Sequence, residues 1–181
     1  MAASSFKPIS SDRLRAFIRD VPDFPKPGIV FKDISPLLAD PVAFRSSIVL
    51  MAEQVSDFHP DRIVAIESRG FVFGAALATL LQIGFVMARK PNKLPAKTTK
   101  IEYDLEYGKD ALEMHTDGLR RDDRVLIVDD VLATGGTARA TAELVELMGG
   151  KVAALLFLME LSFLKGRDRL KDYPTFSLMS I

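Results

Sequence analysis

Residues 125–137, Val-Leu-Ile-Val-Asp-Asp-Val-Leu-Ala-Thr-Gly-Gly-Thr, constrain this chain more than any other stretch. An unbroken apolar run of this kind is a strand buried on both faces of a parallel sheet. Two aspartates end it, a loop of small residues follows, and a helix begins. In open parallel sheets, ligands bind beyond the carboxyl ends of the strands. A helix start offers free amides and the positive end of a dipole, so it takes a phosphate well. Gly135 and Gly136 let the backbone curl close to an anion. Ala133 keeps the loop small, and Thr134 and Thr137 add hydroxyl donors. Asp129 and Asp130 do not bind the phosphate; their natural partners are sugar hydroxyls, met directly or through a metal ion. The ligand that suits this order carries a ribose and a 5′-phosphate together. Neither Gly-Lys-Ser/Thr nor GxGxxG is present here, so the loop is not a P-loop or a dinucleotide fingerprint.

The remaining pattern predicts the sheet that such a loop needs. Ser10 and Ser11 precede Leu14, Phe17, Ile18 and Val21, which is helical spacing behind a cap. Pro22, Pro25, Pro27 and Gly28 mark a turn, and residues 33–38 read as a connection. Asp40-Pro41 starts a helix through Phe44, Ile48, Met51 and Val55. Strands are expected at 62–66, 85–88, 111–115, 124–128 and 152–158, with another at 176–179. Helices are expected at 71–81 and 137–148, the second closed by Gly149-Gly150. Residues 89–108 read as a loop, and so do residues 129–136. Apolar strands alternating with helices give an α/β fold with a parallel sheet covered on both faces. No linker splits the 181 residues, so one domain is expected.

Composition narrows the chemistry. The chain has 24 basic and 24 acidic residues, which argues against a broad footprint for nucleic acid. It has no cysteine, so disulfides, thiolate metal sites and cysteine nucleophiles are excluded. His59 and His115 are too few for a histidine-based zinc site. The start has no apolar run resembling a signal peptide, and residues 152–159 are too short to span a bilayer. A cytoplasmic chain with no membrane contact is the expectation.

Three further segments carry candidate chemistry. Glu67-Ser68-Arg69-Gly70 follows a predicted strand; amides, a hydroxyl and a guanidinium there can hold a pyrophosphate. No acidic residue occurs from Ser68 to Ile101, and Arg89, Lys90, Lys93, Lys97 and Lys100 fall in that window. The first three are assigned to pyrophosphate with Ser68, Arg69 and Gly70; Lys97 and Lys100 are left solvated. Ile101 to Gly108, Ile-Glu-Tyr-Asp-Leu-Glu-Tyr-Gly, is acidic and aromatic. Either Glu102 with Tyr103 or Glu106 with Tyr107 can serve an acid–base step, and chemistry alone does not choose.

Residues 125–137 resemble the phosphoribosyl pyrophosphate signature of type I phosphoribosyltransferases, and Ala-Thr-Gly-Gly-Thr most resembles the adenine-specific branch. Pro-Asp-Phe-Pro-Lys-Pro-Gly-Ile-Val-Phe-Lys-Asp, Glu-Ser-Arg-Gly-Phe-Val-Phe-Gly, Arg-Lys-Pro-Asn-Lys-Leu-Pro, Leu-Glu-Tyr-Gly and Glu-Leu-Ser-Phe-Leu-Lys-Gly-Arg match further segments in order. The resemblance implies that fold, with residues 1–38 forming a small hood over the base. It implies transfer of the phosphoribosyl group from phosphoribosyl pyrophosphate to adenine, giving AMP and pyrophosphate with Mg2+. By the same resemblance Asp129 and Asp130 hold the ribose hydroxyls, and residues 133–137 take the 5′-phosphate. Glu106 and Tyr107 are then catalytic, with Arg69 at the leaving group. Val30, Phe31 and Leu161 contact adenine, the Glu67–Ser68 peptide is cis, and the protein is a homodimer. No direct metal ligand is assigned. The alternatives are a sister enzyme for another base, or a non-catalytic regulator that senses phosphoribosyl pyrophosphate.

Overall fold

A short helical segment leads into an antiparallel ribbon at the start of the fold. The structure, a computed structural model, describes residues 6–104 and 109–181, and the chain divides into two units at Leu50/Met51. In the first unit, α1 (Ser11–Leu14) is a single turn, extended by a 3-10 turn at Arg15–Phe17. The chain then enters β1 (Arg19–Pro22), which pairs with β2 (Val30–Asp33). The helical spacing through Val21 is therefore misleading. Val21 lies opposite Phe31, and the Arg19 Nε donates to Asp33 Oδ2 at 2.9 Å across the ribbon. Strand pairing outweighs the weak local propensity of the segment. The prolines form the turn between the strands, where Gly28 has φ +85° and donates its amide to Asp23 Oδ1 at 2.7 Å.

A helix, α2 (Ser35–Ala39), stands where the sequence predicts a connection. Pro36 is tolerated in its first turn, and Asp33 Oδ1 accepts from the Ser35 amide at 2.9 Å. α3 (Pro41–Gln54) starts as expected. Asp40 Oδ1 caps it by accepting from the amides of Val42 at 2.9 Å and Ala43 at 2.8 Å.

The second unit contains the sheet. β3 (Arg62–Ile66), β4 (Gly84–Ala88), β7 (Arg124–Leu132), β8 (Lys151–Glu160) and β9 (Thr175–Ser180) are all parallel, in the order β4-β3-β7-β8-β9. α4 (Gly70–Leu81) joins β3 to β4, and α5 (Gly136–Leu147) joins β7 to β8. Strand alternation sends the two helices to opposite faces. A Cβ on Gly74 of α4 would touch Ala65 and Ile63. Val64 and Ile66 point the other way. They share a core cluster with Ile127 and Phe157 of the sheet and with Ala138, Ala142 and Val145 of α5.

Two boundaries differ from the sequence reading. β7 runs on through Asp129 and Asp130 to Leu132, because β8 is long enough to pair it: Asp129 lies opposite Phe157 and Leu132 opposite Glu160. Residues 98–104 form a strand, β5 (Thr98–Asp104), paired antiparallel with β6 (Lys109–His115). Its alternation is carried only by Ile101 and Tyr103, which pack against the core while Lys100 and Glu102 stay exposed. Charged residues at every other position hid it.

Candidate active site

The carboxyl ends of β3 and β7 bring Ser68, Arg69, Asp129 and Asp130 close to residues 133–137. Gly135, with φ +81°, turns the chain from β7 into α5, and Gly136 is the first helical residue. The loop curls around a cleft of about 170 Å³ that Thr134, Gly136 and Thr137 line. Gly166 presses on the loop from outside the predicted motif. A Cβ on Gly135 would lie 2.4 Å from the Gly166 carbonyl oxygen, and one on Gly166 would lie 2.2 Å from that of Ala133. Only two glycines allow this backbone contact. Gly166 lies in the matched segment at residues 160–167, but nothing local in the sequence ties it to this loop about 30 residues back.

Asp130 is enclosed, and Asp129 is half-buried at the edge of the cleft. Asp130 is 3% exposed, and its Oδ2 lies 2.9 Å from Arg69 Nη2. Asp129 Oδ1 accepts the Asp130 amide at 2.9 Å. Gly70 makes the close approach possible, since a Cβ there would lie 2.7 Å from Asp129 Oδ1. Burial, and then the neighbouring Asp130 charge, push the Asp129 carboxyl well above the usual carboxylate range. Burial also raises Asp130, against the pull of Arg69.

The cationic side is built from two pairs that the sequence did not show. The Glu67–Ser68 peptide is cis, Ser68 is exposed, and Arg69 leads into α4. Arg89 Nε donates to Glu67 Oε2 at 2.7 Å, and its Nη1 donates to the Lys93 carbonyl at 3.0 Å. Lys90 donates to Asp110 and, at 3.3 Å, to the Tyr103 hydroxyl. Burial lowers the Lys90 pKa, but the hydrogen bonds to Asp110 and Tyr103 outweigh it and the value is raised, so the ammonium stays charged. Lys93 and Lys97 are exposed, and Lys100 pairs with Glu102 at 2.8 Å. A cleft of about 300 Å³ joins Ser68, Arg69, Lys90, Asp129, Asp130 and Thr137. Anion donors, two cations and two carboxylates thus face one space that is large enough for a phosphorylated sugar.

Glu106 and Tyr107 lie outside the described residues. Leu161 is half-buried and donates its amide to the Leu132 carbonyl at 2.9 Å. It borders a small pocket of about 80 Å³ with Leu132 and Gly166. In the first unit, Phe31 lines a separate pocket of about 210 Å³ with Val21, Phe24 and Asp33. The Phe24 and Phe31 rings meet edge to face, with centroids 5.1 Å apart. Hydrogen bonds from the Ser35 hydroxyl and amide, then Arg19, hold the Asp33 carboxyl down at about 2. Val30 is half exposed. Phe24 was not singled out from the sequence; its signal is an aromatic residue set before a proline turn.

A strand-end acidic pair, a glycine loop at a helix start and an adjacent cation cluster thus share one end of the sheet. Residues 35–179 match the phosphoribosyl transferase domain family, and the chain belongs to that family. The adenine phosphoribosyltransferase of Pseudothermotoga lettingae is 58% identical over 160 residues, covering 88% of this chain and 94% of that one. The crystal structure of adenine phosphoribosyltransferase from Thermoanaerobacter pseudethanolicus superposes with a TM-score of 0.93 at 51% identity, covering 95% of this chain and all of that one. The Saccharomyces cerevisiae adenine phosphoribosyltransferase, complexed with an imino-altritol bisphosphate and adenine, gives a TM-score of 0.87 at 40% identity, covering 93% and 97%.

Proposed function

We propose that this chain transfers the 5-phosphoribosyl group from phosphoribosyl pyrophosphate to adenine, giving AMP and pyrophosphate. The observation that carries the reading is the single cleft shared by Asp129, Asp130, Thr137, Arg69 and Lys90. The relatives named adenine phosphoribosyltransferase support the choice of base. In the reaction the C1–oxygen bond to pyrophosphate breaks and a bond from C1 to adenine N9 forms. Asp129 and Asp130 hold the ribose 2′- and 3′-hydroxyls. Residues 133–137 hold the 5′-phosphate, and Ser68, Arg69, Gly70, Arg89, Lys90 and Lys93 hold the pyrophosphate. Glu106 takes the proton from adenine N7, and Tyr107 excludes water. Val30, Phe31 and Leu161 contact the base. Incubation with phosphoribosyl pyrophosphate and a panel of bases tests the reading: AMP from adenine is expected. Turnover of no base points instead to a regulator.

Mg2+ fits this donor set. Among the described residues no three carboxylate or histidine groups converge as a metal cage. Magnesium is characteristically held by one or two carboxylates together with water and substrate phosphates, and Asp129 and Asp130 supply carboxylates beside the cleft. When bound it would neutralise charge on the departing pyrophosphate.

Asp129→Asn is expected to separate stability from function. The Asp129 pKa is higher in the folded chain than in the unfolded one, so the folded state binds the extra proton. Stability is therefore lost as pH rises from the ordinary carboxylate range through the raised value. At neutral pH the variant should melt above the parent, and the gap should close in acid. Loss of a hydrogen bond to a ribose hydroxyl should also raise the KM for phosphoribosyl pyrophosphate by about 10- to 100-fold. Thermal melts across pH, with initial-rate kinetics, check both. An unchanged KM would mark the pair as structural.

The same reading takes the protein as a cytoplasmic homodimer without nucleic-acid or membrane partners. No described helix is long and apolar enough to cross a membrane. α4 buries Phe73 and Leu77 but leaves Val72 and Leu80 exposed on its outer side, which suits an interface between copies. Sedimentation at micromolar concentration should show a dimer; a monomer alone overturns the assignment.

A further inference from the structure

Tyr103 sits at a hydrogen-bonded junction that the reaction above leaves unused. It lies opposite Asp110 in the β5–β6 hairpin, next to the last pair, Asp104 and Lys109. Its hydroxyl donates to Asp110 Oδ2 at 3.1 Å and accepts from the Lys90 ammonium at 3.3 Å. It also lies 3.3 Å from Thr137 Oγ1, at the start of α5. Burial raises the Asp110 pKa, but Lys90 and the Ala111 amide override it and hold the carboxyl below its usual value. Asp110 is thus ionised and only accepts. A phenol has one proton, and here Asp110 takes it. Either hydroxyl could donate across the 3.3 Å contact; with the phenol proton on Asp110, Thr137 donates to Tyr103, and it too has only one proton.

We propose that Tyr103 is a positioning residue that competes with the 5′-phosphate for the single hydroxyl proton of Thr137. The proposal rests on the phosphate-loop reading of Thr137. Phosphate oxygens only accept, so a phosphate engages Thr137 as a donor by turning that proton away from Tyr103. The Thr137–Tyr103 bond ties the β5–β6 hairpin to the first turn of α5. Phosphate binding therefore loosens that tie, and by linkage anything that loosens the tie strengthens phosphate binding. Tyr103 thus couples the state of the phosphate loop to the end of the strand pair nearest residues 105–108, which include Glu106.

Tyr103→Phe keeps the ring and removes the competitor. Ribose 5-phosphate titrated calorimetrically into the full chain is the probe. The variant should bind it about 3- to 10-fold more tightly, the equivalent of one neutral hydrogen bond. The gain should vanish in a Thr137→Ala background and persist in Thr137→Ser, which restores a hydroxyl. If Tyr103→Phe does not fold, Asp110→Ala serves: it releases the phenol proton to Thr137, and the Thr137-dependent part of the gain should reappear. Equal or weaker binding by Tyr103→Phe, or the same gain without the Thr137 hydroxyl, overturns the proposal. Wild-type affinity in Thr137→Ala alone overturns the phosphate-loop reading instead, so the two failures are distinguishable.

Discussion

Glu106→Gln should lower kcat by about 100- to 10,000-fold, the range of general acid–base assistance, with the KM for both substrates within a few fold of the parent. Adenine attacks through the N9 lone pair of its N7-protonated form, and the N7 proton must leave as the glycosidic bond forms. A glutamine holds a hydrogen bond there but takes no proton, so the loss falls on the chemical step. The competing carboxylate is Glu102, and β5 argues against it. Successive side chains on a strand face opposite ways. Tyr103 points its hydroxyl at Thr137 and Asp110, so Glu102 projects from the other side of the hairpin, where Lys100 holds it at 2.8 Å. Glu102→Gln is accordingly the control, with near-normal kcat. Steady-state and single-turnover kinetics on both variants decide it, and a large loss in Glu102→Gln with normal Glu106→Gln would reverse the assignment.

The parts of the fold legible in the sequence are those set by continuous burial. Residues 63–66, 85–88, 125–128 and 152–159 are uninterrupted apolar runs, and no competing period obscures them. The helix caps at Asp40 and Gly149 were legible for a local reason: each depends on a few adjacent atoms. The misread segments depend on partners distant in the chain. β1 forms because Val21 finds Phe31, and β7 continues past its aspartates because β8 reaches Glu160. At the site, motif order grouped Asp129, Asp130 and residues 133–137, and Asp129 lines one cleft with residues 133–137 although both aspartates belong to β7. It gave no sign that Arg89 would meet Glu67 or Lys90 would meet Asp110. Ion pairs between separate segments leave no periodic trace in sequence. They matter to function, because Arg69, Arg89 and Lys90, all assigned to pyrophosphate, already have carboxylate partners. Under the proposed function, pyrophosphate would join or displace those carboxylates, since each arginine and lysine keeps further N–H donors.

Adenine should be preferred over hypoxanthine by about 10,000-fold or more in kcat/KM, the discrimination open to a site built to hydrogen-bond one edge pattern. Adenine offers an amine at C6 and an acceptor at N1; hypoxanthine offers a carbonyl and an N–H. Under the proposed function, the Val30 carbonyl and amide read that edge. Val30 is the first residue of β2, half exposed, and the residue opposite it is Pro22, which has no amide to give. Its backbone polar groups are fixed by the ribbon and cannot rotate. Hypoxanthine would set carbonyl against carbonyl and N–H against N–H, leaving four polar groups unsatisfied. A side-chain amide could flip to suit either base, but no Asn or Gln occurs between Phe24 and Leu38. Phe31 adds an aromatic face without adding discrimination, because every purine can stack on it. Initial rates with adenine, hypoxanthine and guanine at limiting base measure the ratio. Comparable turnover of hypoxanthine would remove adenine as the assigned substrate while leaving the chain in the phosphoribosyltransferase family.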